Sequence, residues 1–437
     1  MSRTLTLAFL FASATSAPAL TLLTTAKFGR FESVTGRTPR ALVRVGPERS
    51  LRGVDPTCPT TSSLRFALSR RGADFEDHGE IALACAGWRR TRSGYRWVPP
   101  AGASGGIRDV RVGRRGLVVR AGGMDFAPIA GPVAYVEAWL TVGDERHLVR
   151  LQNFRRNDPH AVVSRRASRA AAAGEAAFWD TVWADDPRPD EALRLLERAV
   201  KRDAKDGRSQ FLLGMLRLYR SSTACAEFDF AHLCAAAKAE GLAAVDPLDR
   251  AVPLLANDTR IAGFRGAATY AAGYVQGDAD RLARGLNLID EAVAANTLFN
   301  AFDLFAVVAP VEPGMGDYYQ TRVLPLVDAI FSGDNLSCPV TLPEICSNAG
   351  MAPHNFEGTL ILLGDIYAKG GRLANASLWY SIARGTGRTT GYRYEAIAEE
   401  RVATAADRVA RYEDDDPTND PPLLGGGGGS CKYCHNK

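Results

Sequence analysis

Beyond its first twenty residues the sequence contains no run of the roughly 18 apolar residues that a membrane-spanning helix requires. It is also poor in the groups that usually carry chemistry, with six histidines and five methionines in 437 residues. There is no glycine-rich phosphate loop opening a helix, no zinc-protease helix, no nucleophile elbow, and no order of Ser, His and Asp from which a triad can be argued. Catalysis by side chains is therefore not indicated. With 46% hydrophobic and 23% charged residues the chain is neither disordered nor fibrous, and its length predicts two or more domains with real cores.

At the N-terminus, Met1-Ser2-Arg3 precedes an apolar run from Leu5 to Ala14 and then Ala17-Pro18-Ala19, the small-x-small form that signal peptidase cuts. This pattern reads as a signal peptide over 1–19, with cleavage after Ala19. The expected location is the periplasm or beyond, in or outside a bacterial envelope, with no transmembrane segment after cleavage. Cysteine usage agrees with an oxidising compartment, because six of the eight fall into pairs close in sequence: Cys58 with Cys85, Cys225 with Cys234, and Cys338 with Cys346. Proximity alone suggests this pairing, and six cysteines permit 15 connectivities. Cys431 and Cys434 are left over.

The formal charge of +4 conceals an asymmetry. Residues 20–170 hold 26 Lys and Arg against 13 Asp and Glu, a balance of +13; with Arg3 at +1, residues 171–437 carry −10. Such a split suggests separate modules docking on each other, or a basic module that meets an anionic envelope surface. Arginines that merely solvate strand faces would give the same count. Nucleic acid is not an expected partner of an exported chain.

Residues 20–152 show short β-type runs broken by Gly, Pro, Asn and Asp, among them Ala41 to Val45, Ser63 to Leu68, Glu80 to Ala84, Val110 to Val119 and Val133 to Val142. The alternation from Ile107 to Val112, followed by Gly116, reads as a hairpin with one exposed face. Trp88, Tyr95 and Trp97 supply aromatic bulk for its core. The Arg- and Ala-rich stretch from Arg155 to Ala173 reads as a linker or connector helix, and from there to Tyr412 the pattern is helical. Ala192-Leu193-Arg194-Leu195-Leu196-Glu197-Arg198-Ala199-Val200 recurs in kind as Gly285-Leu286-Asn287-Leu288-Ile289-Asp290-Glu291-Ala292-Val293, which points to stacked helical hairpins.

From Leu360 to Ala383 the chain resembles a tetratricopeptide repeat, with Leu360, Leu363, Gly364, Tyr367, Ala376, Tyr380 and Ala383 matching that motif's spacing of large and small residues. A weaker match starts at Phe211-Leu212-Leu213-Gly214. Arrays of this kind present a face to a protein partner, and the resemblance implies one here. Residues 300–355, with Pro310, Pro313, Pro339 and Pro343, fit the repeat less well and read as an excursion. Next comes Ala352-Pro353-His354-Asn355, before the repeat-like helix. Together with Gly364-Asp365 and the cysteine-bearing tail, this resembles exported bacterial proteins that have a helical-repeat body and one terminal CxxCH. That resemblance brings no activity with it.

The tail carries the chemistry. After Glu413-Asp414-Asp415-Asp416-Pro417, Pro421-Pro422 and five glycines, the chain reads Cys431-Lys432-Tyr433-Cys434-His435. In a c-type haem motif the two thiols add across the haem vinyl groups and the adjacent histidine ligates iron, so Cys431 and Cys434 would form thioethers and His435 would be the proximal ligand. One covalent haem c is expected. A thioredoxin-type redox pair prefers a helix N-terminus, which glycines do not supply, and a zinc clip needs two further ligands. Candidates for the far side of the iron are His354, His232 and Met351, a partner's ligand, or an open position.

The sequence thus predicts an α+β multidomain chain. A β-rich module over 20–152 forms a small antiparallel β-sandwich or barrel, a connector spans 153–185, an all-α tetratricopeptide-like array spans 186–412, and a flexible tail bearing CxxCH spans 413–437. Electron transfer or small-ligand sensing with a protein partner is the expected role. The alternative is a cell-envelope adaptor without haem, whose tail cysteines form a disulfide or metal clip.

Overall fold

A computed structural model gives the structure of the chain, and it describes residues 20–23, 27–32, 40–47, 50–70, 76–100, 106–122, 132–158, 161–165, 167–183, 187–225, 233–305, 319–331, 356–414, 416 and 418–424. The fold is α+β, with β structure first and helices after it. The strands are β1 (Leu20–Leu22), β2 (Lys27–Glu32), β3 (Arg40–Val45), β4 (Ser62–Ser69), β5 (Glu76–Ala82), β6 (Trp88–Thr91) and β7 (Gly94–Trp97). They continue with β8 (Ile107–Gly113), β9 (Gly116–Gly122), β10 (Tyr135–Val142), β11 (Glu145–Leu151), β12 (Phe154–Asp158) and β13 (Ala161–Ser164).

These strands form two sheets, ordered β1-β11-β10-β4-β5 and β12-β13-β2-β3-β9-β8-β7-β6. All pairings are antiparallel except that of β1 with β11. Alternation explains the layering. In β10, Val136, Ala138 and Leu140 enter one core shared with Val43, Val110 and Val119 of the larger sheet, and Trp88 and Trp97 lie in the same core. The hairpin expected around Gly116 is β8–β9, closing with Gly113 opposite Gly116. The stretch from Asn153 is not a connector: β12 and β13 extend the larger sheet there, and the helix begins only at Arg169. The charged Arg155 and Arg156 hid two short strands, of which Ala161-Val162-Val163 is the β-branched, buried part.

The helices are α1 (Arg169–Trp183), α2 (Pro189–Arg202), α3 (Gly207–Thr223), α4 (Ala235–Leu254), α5 (Arg260–Gln276), α6 (Ala279–Ala295), α7 (Thr297–Asp303) and α8 (Leu324–Phe331). They end with α9 (Phe356–Lys369), α10 (Leu373–Thr390) and α11 (Glu395–Glu413). Local chemistry sets their ends. Pro189 opens α2, Asp206 and Asp278 cap α3 and α6 by accepting from the backbone amides of Ser209 and Arg281, and Gly277 ends α5 in the left-handed region at φ 64°. Neighbours in sequence pack as hairpins, most extensively α1 with α2, α3 with α4, α5 with α6 and α9 with α10. The two related segments occupy α2 and α6 and bury equivalent positions, Ala192, Leu196 and Ala199 in one and Gly285, Ile289 and Ala292 in the other.

The β region meets the helices through buried polar groups on β2 of the larger sheet and on the residues that follow β11 of the smaller one. Gln152 Nε2 donates to Asp258 (3.1 Å), Asn153 Nδ2 to Asp206 (2.8 Å) and Lys27 Nζ to Glu175 (3.1 Å). The Arg260 and Arg150 guanidinium groups lie 4.7 and 4.6 Å from the Tyr135 ring centre. Burial lowers the pKa of Lys27 against the pull of Glu175; burial would raise Glu175, but Lys27 and Arg208 beside it hold it below its usual range.

Two cysteine pairs stand at disulfide distance, Cys58 with Cys85 and Cys225 with Cys234, their Cα atoms 5.1 and 6.0 Å apart. These are pairs that sequence proximity suggested. Cys338 and Cys346 lie outside the described residues, as does the segment 1–19. Among the described residues no helix is long and apolar enough to cross a membrane.

Candidate functional site

The residues expected to hold haem, Cys431, Cys434 and His435, lie outside the described residues, and so do His354, His232 and Met351. What the structure does describe is the root from which they hang. The tail was expected to be free from Glu413 onward. Instead, residues 418–424 are docked on the helices, and Pro421, Leu423 and Leu424 are buried, the two leucines in the core that also contains Trp379, Tyr380 and Val409. The acidic run contributes turns: Asp414 accepts from the Asp416 amide (2.9 Å) and from Asn419 Nδ2 (2.8 Å), while Asp416 accepts from the Thr418 amide and hydroxyl.

Asp365 in α9 organises the docking. Its side chain is fully buried, and four groups converge on it: the Tyr380 hydroxyl (2.6 Å), Arg401 Nε (2.8 Å), Arg408 Nη2 (3.1 Å) and the backbone amide of Leu424 (2.6 Å). Two guanidinium ions compensate one buried carboxylate, which is how such a charge is tolerated in a core. Arg408 Nη2 also donates to the Pro422 carbonyl (2.7 Å), and the Tyr412 hydroxyl donates to the Pro421 carbonyl. Burial raises the pKa of Tyr380, and Asp365 beside it adds to the rise, so the phenol stays a donor across the physiological range. Helices α9, α10 and α11 thus present one polar hub that fixes the backbone of the docked segment just before Gly425 begins the glycine run.

The sequence pointed to Gly364-Asp365 only as part of a resemblance. The role of Asp365 was not legible there, because its partners Tyr380, Arg401, Arg408 and Leu424 are separated from it by up to 59 positions. The Pro-Pro-Leu-Leu sequence at 421–424 carried the available signal: two leucines at the end of a polar stretch need burial.

A second polar site lies between sheet and helices, a cavity of about 70 Å³ lined by Lys27, Arg150, Asn153, Glu175, Asp206 and Arg208 among others. Nη1 of the buried Arg150 has no hydrogen-bond partner among the described residues. Those residues contain no cluster of three or more His, Cys, Asp or Glu able to hold a metal ion.

No family model matches the chain, and no curated protein or solved structure is significantly similar to it.

Proposed function

We propose that this is an exported c-type haem protein: a helical body docks on a protein partner and holds one covalent haem close to its surface for electron transfer or small-ligand sensing. The observation that carries the reading is Cys431-Lys432-Tyr433-Cys434-His435 following a glycine run, the one place in the sequence where two thiols and a histidine stand at haem-attachment spacing. Bound haem would supply one-electron chemistry or an iron site for a small ligand. Cys431 and Cys434 would hold it and His435 would ligate it.

The docked segment refines this reading. Seven residue steps separate Leu424 from Cys431, a reach of at most about 25 Å in any conformation and about 15 Å on average for a glycine-rich chain. The tether is therefore shorter than a free tail from Glu413 would be. It favours a haem that works beside helices α9 to α11 over one that roams the molecule.

The helical body supports the tetratricopeptide-like part of the proposal. Four hairpins press a glycine of the first helix against a large side chain of the second: Gly174 on Leu196, Gly214 on Leu248, Gly266 on Ile289 and Gly364 on Tyr380. Close crossing through a small residue is the packing principle of such repeats. The two disulfide-distance cysteine pairs are in keeping with an oxidising compartment.

The test is the visible spectrum of protein matured in a periplasm equipped for cytochrome c assembly. A sharp ferrous α-band that disappears in a Cys431→Ala/Cys434→Ala variant supports the proposal. A colourless protein whose tail cysteines are oxidised to each other overturns it and leaves the adaptor role.

A further inference from the structure

The outer face of the larger sheet is basic to a degree that stability does not explain. Read across the strands, Arg89 of β6 stands opposite Arg96 of β7, Arg96 opposite Arg111 of β8, Arg111 opposite Val118 of β9, and Val118 opposite Arg44 of β3. A parallel row places Arg120 opposite Leu42, and Leu42 opposite Arg30. The residues on the other side of the same strands, Trp97, Val110, Val119 and Val43, form the core, so these arginines project away from it. Arg30, Arg44, Arg89, Arg96 and Arg111 are exposed. With strands about 4.8 Å apart, the first row spans about 19 Å.

Like charges directly opposite one another destabilise a sheet, and here three arginines stand in succession. Among the described residues a single carboxylate makes ion pairs with two of them. Asp109, only 6% exposed, accepts from Arg96 Nε (2.5 Å), Arg111 Nε (2.9 Å) and Arg120 Nη1. Three cations on one anion leave a net positive cluster. Because Arg96 and Arg111 use Nε, their terminal nitrogens make no hydrogen bond among the described residues and remain available to an external anion. Asp109 therefore orients the guanidinium groups without neutralising them.

We infer that this face is a docking surface for an anionic lipid layer, recognised through headgroup phosphates. Charge complementarity sets the sign of the partner, and cations spread in two rows across the strands favour an extended array of phosphates over a single polymer strand lying in a groove. Association would be peripheral, through the sheet face. The inference does not depend on haem attachment.

Co-sedimentation of the full chain with phosphatidylglycerol vesicles, against phosphatidylcholine vesicles, is the experiment. Binding only to the anionic vesicles is expected, and about 1 M salt, where the Debye length falls to about 3 Å, should abolish it. Arg44 and Arg89 make no ion pair among the described residues, so Arg44→Gln/Arg89→Gln should melt like the parent while losing more than about tenfold in vesicle affinity, at about fivefold per charge. Equal binding to both vesicle types, or undiminished binding by the folded double variant, overturns the inference. So does binding to heparin without binding to vesicles, or a dimer that the double variant dissolves, since these assign the face to a polysaccharide or to a second copy of the chain.

Discussion

At the scale of single residues, the molecule places several charges in its interior and differs from site to site in how it compensates them. Asp365 is matched by Arg401, Arg408, a phenol and a backbone amide. Asp303 is not. Its Oδ2 is buried without a partner among the described residues, as is Oδ1 of Asn300 one helical turn before it, and both oxygens lie against the backbone of Gly263. Burial pushes the Asp303 carboxyl well above its usual range. The consequence for pH has a definite sign. Above the unfolded pKa of about 3.9 the folded state retains a proton that the unfolded state has lost, so stability falls as pH rises, by at most about 1.4 kcal/mol per pH unit, until the folded-state pKa is passed. Asp303→Asn has no such proton to lose. It should gain in unfolding midpoint relative to the parent as pH goes from 5 to 8, in paired thermal melts. Parallel pH profiles would mean that Asp303 is ionised in the folded protein.

At the scale of elements, much was legible in sequence where periodicity was strong and little where side-chain partners were distant. The β8–β9 hairpin and β3, β4 and β10 were readable because alternating apolar residues mark a buried face. The strands β12 and β13 were misread, because five residues with two arginines in one and only four residues in the other carry too weak a period to distinguish a strand from a linker. The docked segment 418–424 was read as tether because the glycines after it and the acids before it outweighed two leucines. The hairpin glycines are the testable feature at this scale. A Cβ on Gly364 would sit 2.3 Å from the Tyr380 ring, so Gly364→Ala should destabilise the helical part by about 1–3 kcal/mol. Gly385, in the same pair of helices with nothing within 4 Å, supplies the control: Gly385→Ala should be neutral or stabilise by up to about 1 kcal/mol. Urea melts of both variants distinguish close crossing from ordinary helix propensity. Equal effects would remove the packing argument.

At the scale of the whole molecule, the charge asymmetry visible in composition takes on a spatial form: arginines collect on the outer face of the larger sheet, while Lys27 of that sheet and the amides of Gln152 and Asn153 meet carboxylates of the helical part in buried contacts. The sequence could count those charges but could not sort them, since sorting depends on strand register. The boundary of the tail is likewise a property of the folded whole. A chain ending at Leu424 should keep the parent's helical circular dichroism and melting midpoint, because it retains both buried leucines and the amide that Asp365 accepts from. One ending at Glu413 should melt lower. Losing the burial of Leu423 and Leu424 alone costs about 1.5–3 kcal/mol each, and Asp365 loses one of its donors. Identical melting of the two truncations would show that the segment does not clamp the body.

The central claim, a haem fixed to the C-terminal cysteines, is tested most directly by the mass of the denatured, periplasmically matured protein, followed by peptide mapping. The account predicts a gain of one haem that survives denaturation and maps to the peptide containing Cys431 and Cys434. A C-terminal peptide of unmodified mass, or one lighter only by the two hydrogens of a Cys431–Cys434 disulfide, would contradict it.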